Sequence, residues 1–241
     1  MSVPRKVKAV VADLKKYRDD VTLYRLKPEL PVKFRPGQFL HLALDNYDPS
    51  YNWPESRVFS MADAPNKEFI DILVSPKGNF TNRMISEISI GRQVWLKLPY
   101  GTFNFRGSAG KDVVLIAGGT GISPFISFLE DLAESTDEYR SISLFYGVRN
   151  SDLIIFEENF KRYVQEINSF QYKVYCEKIN NKLSFSIEQG ILPIKGLVDQ
   201  TISFTNPVYY LSGPKSMIEC FEKELKDKAI PEERIFYDKW E

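Results

Sequence analysis

Residues 113–125 read Val-Val-Leu-Ile-Ala-Gly-Gly-Thr-Gly-Ile-Ser-Pro-Phe, and the reading of this stretch decides the fold. The apolar run before Gly118 has the character of a strand buried on both faces, as in a parallel sheet. It runs directly into Gly118, Gly119, Thr120 and Gly121 and then into a helix. Glycine permits positive φ and a close backbone approach to a ligand. Pro124 suits a first helical turn, where its missing N–H is no loss. A helix starting here aims unpaired N–H groups and partial positive charge at the carboxyl end of the sheet, where open α/β sheets bind ligands. The stretch therefore reads as a pyrophosphate site, or else as a tight strand-to-helix turn with no ligand. It is not the phosphate loop of kinases and ATPases, because no Gly-Lys-Ser/Thr follows. It also departs from Gly-x-Gly-x-x-Gly, since Pro124 takes the third glycine's place.

Downstream, strands and helices alternate. SISLFYG, YKVYC and PVYYLSG read as strands. Apolar residues at helical spacing follow the glycine turn (Phe125, Phe128, Leu129, Leu132) and recur at Phe156–Phe160–Val164–Ile167 and Met217–Phe221–Leu225. This alternation predicts a parallel α/β sheet over residues 108–241. Upstream the pattern differs. VKAVVADL, VTLYRL, FLHLALD, RVFSMAD, FIDILVS and QVWLKLP are short, rich in β-branched and aromatic residues, and punctuated by Pro, Gly, Asn and Asp. They predict an antiparallel barrel or sandwich over residues 1–107, with one helix at Asn79–Ile88. The small residues of Phe105–Gly110 read as the link between the two parts.

The 241 residues can bury a sizeable core, and 43% are apolar. Lys+Arg and Asp+Glu each total 32, so the chain lacks the positive excess usual for a nucleic-acid binder. No apolar run is long enough to span a membrane, and the N-terminus lacks a signal peptide's apolar stretch. A cytoplasmic location is expected. Two cysteines, Cys176 and Cys220, cannot supply the four thiolates of an iron–sulfur cluster. The single histidine, His41, excludes a His-rich zinc site and reads as structural. Cys220 falls beside Met217 and Phe221 and is expected in the core; Cys176 also reads as structural.

Arg57-Val58-Phe59-Ser60 lies in a predicted strand. Val74 and then Lys77-Gly78-Asn79-Phe80-Thr81 lead into the short helix. An arginine, a lysine, a helix N-terminus and a hydroxyl make a second anion site. Together and in order these segments resemble the ferredoxin–NADP reductase superfamily over nearly the whole chain. Its flavin motif, Arg-x-Tyr/Phe-Ser/Thr, is matched by Arg57–Ser60, and its Gly-x-x-Ser/Thr motif by Gly78–Thr81. The segment ending the family's barrel is matched by Leu98-Pro99-Tyr100-Gly101-Thr102-Phe103. The pyridine-nucleotide loop is matched by Gly118–Pro124, Tyr-Gly-x-Arg by Tyr146–Arg149, and Cys-Gly-Pro-x-x-Met by Ser212-Gly213-Pro214-Lys215-Ser216-Met217.

The resemblance implies an FAD-binding barrel followed by an NAD(P)-binding α/β domain, with hydride passing from NAD(P)H to flavin and electrons onward to a separate acceptor. That acceptor is a ferredoxin, a flavodoxin, an oxygenase component or free flavin. The alternative is a non-catalytic assembly subunit that keeps the fold. By resemblance, Arg57 pairs with the FAD pyrophosphate, Phe59 packs on the ring system with Val58 and Val74 nearby, and Ser60 sits by the reactive nitrogen. Lys77, Gly78, Asn79, Phe80 and Thr81 complete the flavin site. Gly119, Thr120, Gly121, Arg149, Glu177, Gly213, Pro214 and Met217 belong to the nucleotide site. Ser212 stands where many relatives carry cysteine beside the transferring hydride; the less polarizable hydroxyl is expected to slow the transfer, so Ser212→Cys should be faster. Trp240 is expected to cover the flavin face or to serve as packing. Glu177 would repel a 2′-phosphate and accept hydrogen bonds from a ribose diol, which favours NADH over NADPH.

Overall fold

The structure is a computed structural model that describes residues 3–65, 67–105, 110–134, 139–180 and 186–238. It divides into two compact units: Met1–Phe105 with Ile126–Asp131, and Arg106–Phe125 with Leu132–Glu241.

The first unit is an antiparallel sheet of six strands, β1 (Arg5–Lys16), β2 (Thr22–Pro28), β3 (Phe39–Ala43), β4 (Ser56–Ser60), β5 (Ile70–Val74) and β6 (Gln93–Tyr100), in the order β4-β3-β6-β1-β2-β5. An antiparallel bridge between Met61, just past β4, and Ile72 of β5 links the two edges and nearly closes the sheet into a barrel. Burial alternates along β1: Val7, Ala9 and Val11 are buried, while Lys6, Lys8 and Val10 face outward. The period-2 pattern thus puts one face of β1, β2 and β6 into a common core with Leu40, Leu42 and Ile72. Arg25 and Asp71, paired across β2 and β5, meet in a two-pronged hydrogen bond at 2.9 and 2.7 Å. Helix α1 (Asn79–Glu87) buries Phe80 and Met84 against this core. Ser127 Oγ donates to the Asp63 carbonyl at 2.7 Å, and the Phe128 ring lies 5.6 Å from Phe103 and 5.0 Å from Phe105.

The second unit is a fully parallel six-stranded sheet. Its elements are β7 (Asp112–Gly118), α2 (Ser123–Ala133), β8 (Ser141–Asn150), α3 (Glu157–Glu166), β9 (Phe170–Lys178), β10 (Ile187–Gln189), α4 (Ile194–Thr201), β11 (Val208–Ser212), α5 (Lys215–Asp227) and β12 (Ile235–Asp238). The strand order is β10-β9-β8-β7-β11-β12. β7 is buried along its whole length, as its unbroken apolar run requires. The chain winds outward from β7 to β10 and returns to place β11 beside β7, so the direction of winding reverses between those two strands.

Two packing expectations are corrected. Val164 is 49% exposed, because the buried face of α3 is carried by Phe160 and Tyr163, with Phe156 and Ile167 at its caps. Cys220 is exposed: the buried stripe of α5 runs Ile218, Phe221, Leu225, and residue 220 falls to one side of it. Cys176 is buried, and its thiol donates to the Lys178 carbonyl. Strands β10 and β12 and helix α4 have no counterpart in the sequence reading.

Candidate functional site

In the first unit the site residues converge at the N-terminus of α1. Thr81 Oγ1 accepts the backbone N–H groups of Lys77 (2.8 Å) and Gly78 (3.2 Å) and donates to the Gly78 carbonyl, so this hydroxyl is engaged in shaping the turn. The first N–H groups of α1 lack intrahelical partners and make an anion-accepting end. Gly78 is informative. Its φ of 172° is extended backbone open to any residue, and a Cβ added there meets no atom within 4 Å. Neither strain nor packing requires glycine, so the open space above the helix end is what a side chain would fill. The exposed Arg57 guanidinium stands 5.2 Å from the Phe80 ring centre, over the same helix end. It also donates to the Ser56 carbonyl at 2.9 Å and pairs with Glu55 at 3.0 Å. A surface pair of that kind is worth about 0–1 kcal/mol, so a phosphate can displace it.

Val58 and Phe59 are half-buried, Phe59 against the barrel core, and Ser60 is buried. Val74 and Phe80 lie in the core, so neither offers its side chain freely to a ligand. Lys77 and Asn79 are exposed beside the helix end. His41 is half-buried with its ring 4.8 Å from that of Tyr100; burial, reinforced by the Lys97 charge, lowers its pKa.

In the second unit the glycine turn sits where the winding reverses, between β7 and β11. Gly119 is exposed in the left-handed region (φ 54°), with open space where a side chain would stand. Gly121 is held by packing: a Cβ there would lie 2.5 Å from the Gly213 nitrogen and the Ser212 carbonyl. Gly118 is likewise pressed against Met217 and Pro214. The turns after β7 and β11 therefore fit directly against each other, joining Gly118, Gly121, Ser212, Gly213, Pro214 and Met217, with Thr120 half-buried beside them. The Thr120 carbonyl accepts from Ser123 Oγ at 2.9 Å, which anchors the start of α2. Arg149 and Glu177, both exposed, lie at the carboxyl ends of β8 and β9 on the other side of the turn. The residues expected to bind the nucleotide thus lie at the carboxyl ends of the sheet's strands, with Arg149 and Glu177 set apart from the paired turns.

Ser212 is wholly buried, and its hydroxyl donates to Asp238 Oδ2 at 3.3 Å. Asp238, itself buried, sits opposite Ser212 in the β11–β12 register and was missed in the sequence. Its only signal there is an acidic residue closing the apolar run Ile-Phe-Tyr. Trp240 lies outside the described residues. Among the described residues no group of three or more His, Cys, Asp or Glu is placed to hold a metal ion, and no helix is long and apolar enough to cross a membrane.

A nearly closed antiparallel sheet with an anion-accepting helix end, followed by a parallel sheet with a glycine turn at its switch point, is the two-domain arrangement of elements seen in ferredoxin–NADP reductase structures. Residues 115–223 match the model of the oxidoreductase NAD-binding domain. The chain is 28% identical to the reductase component of propane 2-monooxygenase of Mycolicibacterium goodii over 95% of its length, covering 66% of that protein. It is 28% identical to the electron transfer component of anthranilate 1,2-dioxygenase of Acinetobacter baylyi over 98% of its length, covering 67% of that protein. The chain thus spans about two thirds of the length of these curated relatives. Among solved structures, a cytochrome P450 reductase of Amycolatopsis superposes with a TM-score of 0.83 at 22% identity, over 98% of this chain and 70% of that one. A ferredoxin NADP+ reductase of Neisseria gonorrhoeae with bound FAD and NADP gives 0.78 at 17% identity, over 99% of both chains. Residues 115–223 thus carry an oxidoreductase NAD-binding domain, and the two-domain fold is similar to that of the ferredoxin–NADP reductases.

Proposed function

We propose that the chain is an FAD-dependent reductase that takes a hydride from NADH, in preference to NADPH, and delivers electrons to a separate acceptor protein. Residues 1–107 serve in this reading as the flavin domain and residues 108–241 as the nucleotide domain. The observation that carries it is Gly78, a glycine that neither backbone nor packing requires, at a helix end overhung by Arg57. That space suits a pyrophosphate.

Bound FAD would supply the hydride-accepting ring and the capacity to release electrons singly. The chain's own residues do the rest. Arg57 and the α1 N-terminus neutralise the pyrophosphate, Phe59 offers an apolar ring edge, and Ser60 positions a hydroxyl at the end of β4. Gly119 and Thr120 bring backbone close to the nucleotide diphosphate, and Glu177, exposed at the end of β9, disfavours a 2′-phosphate by like-charge repulsion. The relatives' description as oxygenase reductase and electron transfer components supports a separate polypeptide as acceptor. The cytoplasm, where NADH is supplied, suits the same reading.

The test is an anaerobic titration. Purified protein should be yellow and should bleach on NADH at a lower concentration than on NADPH. A colourless protein that refuses added FAD ends the proposal, and a higher kcat/KM with NADPH reverses the nucleotide assignment.

A further inference from the structure

We infer that Gln38 is a positioning residue that sets where the Ser60 hydroxyl stands at the flavin ring, an inference that rests on the function proposed above. Ser60 closes β4 at the point where the chain changes partners. From Ser56 to Ser60 the strand pairs with β3, ending on Phe39. One residue further, Met61 bridges to Ile72 of β5, and the Ala62 N–H donates to the Asp71 carbonyl at 2.8 Å. The Met61 N–H still reaches back to the β3 side, donating to the Gln38 carbonyl at 3.1 Å. Ser60 is thus held between two main-chain anchors, and the one on the β3 side is Gln38.

Gln38 is itself fixed by its side-chain amide. Arg35–Gln38 is a turn with Pro36 and Gly37 at its centre, Gly37 at φ 81°, closed by the Gln38 N–H donating to the Arg35 carbonyl at 3.1 Å. The amide closes the same turn a second time, because Gln38 Oε1 accepts the Arg35 N–H at 2.8 Å. Its other end, Nε2, donates to the Gly101 carbonyl at 3.1 Å, just past β6. One side chain therefore joins the turn before β3 to the segment leaving β6, while its own carbonyl holds the end of β4.

The ladder needs that tie here. The β3–β6 register shifts between Phe39 and His41, so Phe39 pairs with Tyr100 and His41 with Lys97. Pro99, inside the shift, has no N–H to donate. The surrounding backbone leaves little slack: a Cβ on Gly37 would collide with the Phe103 carbonyl, and one on Gly101 would lie 2.8 Å from the Phe39 ring. The two contacts require one acceptor and one donor at the end of a single arm, which an amide supplies and a carboxylate does not. In Gln38→Glu, of the same shape, the Arg35 contact survives and an oxygen faces the Gly101 carbonyl.

The test is a double-mutant cycle between Gln38 and Ser60, read on FAD-loaded protein by anaerobic stopped flow with NADH and on the oxidised protein by its visible absorption. A misplacement of about 1 Å at a reacting centre can cost about a hundredfold, so the partial release in Gln38→Glu should slow flavin reduction about tenfold. FAD affinity of the apoprotein, by fluorescence titration, should change less than about twofold, because Arg57 and the α1 end are untouched. In a Ser60→Ala background the same substitution should have less than about a twofold further effect on the rate, and no further effect on the flavin band that Ser60→Ala alone shifts. Gln38→Met, neutral and of similar length, should behave as Gln38→Glu does. Additive losses, a Ser60→Ala variant as fast as wild type, or a fall in FAD affinity that matches the fall in rate overturns the inference. So does failure of both Gln38 variants to fold, which would make the amide a structural tie alone. Wild-type protein with no NADH-reducible flavin would sink the proposed function itself, whereas normal reduction with no coupling between Gln38 and Ser60 sinks only the positioning role.

Discussion

Asp63 shows how one side chain's surroundings set a measurable property. Burial, reinforced by the charges of Asp71 and Glu130, pushes its carboxyl up to about 6, against the opposing hydrogen bond from the Ala64 N–H. The folded state therefore holds a proton that the unfolded chain releases at lower pH. This contribution to stability is present below the ordinary carboxylate range and is lost as pH rises through about 6. Asp63→Asn should stabilise the protein at pH 7 by about 1–2 kcal/mol, discounted for its partial exposure, and the gain should vanish below about pH 4. Denaturant midpoints at the two pH values decide it. Ser212 depends equally on its partner. Considered alone, the residue invites a faster cysteine variant. With Asp238 accepting its proton inside the core, a thiol is a poorer donor and leaves the carboxylate less well bonded. Ser212→Cys should cost about 1 kcal/mol of stability and should not accelerate flavin reduction by NADH in stopped flow; a faster variant would show that polarizability outweighs the hydrogen bond. Neither Asp63's environment nor the Ser212–Asp238 pair was legible in the sequence, because each depends on a neighbour brought in by strand pairing or packing.

Elements were legible where periodicity was long or glycine marked a turn. β7 and its turn could be read because a strand buried on both faces leaves no alternation. Barrel strands β1, β2 and β6 could be read because one face of each is buried. β10 and β12, of three and four residues, are too short for a period and are defined by parallel partners distant in sequence. α4 carries Gly196 in its first turn and no side-chain cap, so little local signal announces it. In α3 the apolar residues were visible, but the face they form was misjudged at Val164. The two glycine-bearing turns separate structural from functional need. Gly121→Ala places a Cβ 2.5 Å from backbone atoms of Ser212 and Gly213, which cannot yield as a side chain can; the second unit should lose several kcal/mol, about 2–4, in thermal unfolding. Gly78→Val meets open space and ordinary φ, so the fold should keep its stability to within about 0.5 kcal/mol. Its FAD affinity should fall at least tenfold by fluorescence titration. If Gly78→Val binds FAD normally, the α1 end is not the pyrophosphate site.

For the molecule as a whole, the fold class was legible because the hydrophobic period changes from that of short strands to alternating strands and helices along the chain. The separation of the chain into units was not: residues 126–131 of α2 group with the first unit through Ser127 and Phe128, contacts that no helical pattern announces. A ligand that binds only the folded chain stabilises it by mass action, and the proposed FAD site is assembled from β4, β5 and α1, which exist together only when the first unit is folded. At a free FAD concentration about a hundred times Kd the gain is about 2.7 kcal/mol. For a chain of this size that corresponds to a rise in Tm of roughly 5–10 °C. Riboflavin, which has the ring system but no pyrophosphate, should give far less, because the Arg57–α1 end then has no charge to neutralise. Thermal scans with FAD, riboflavin and no additive make the comparison directly. Equal shifts from FAD and riboflavin would mean that ring stacking alone supplies the affinity, and the anion-accepting helix end would lose its assigned purpose.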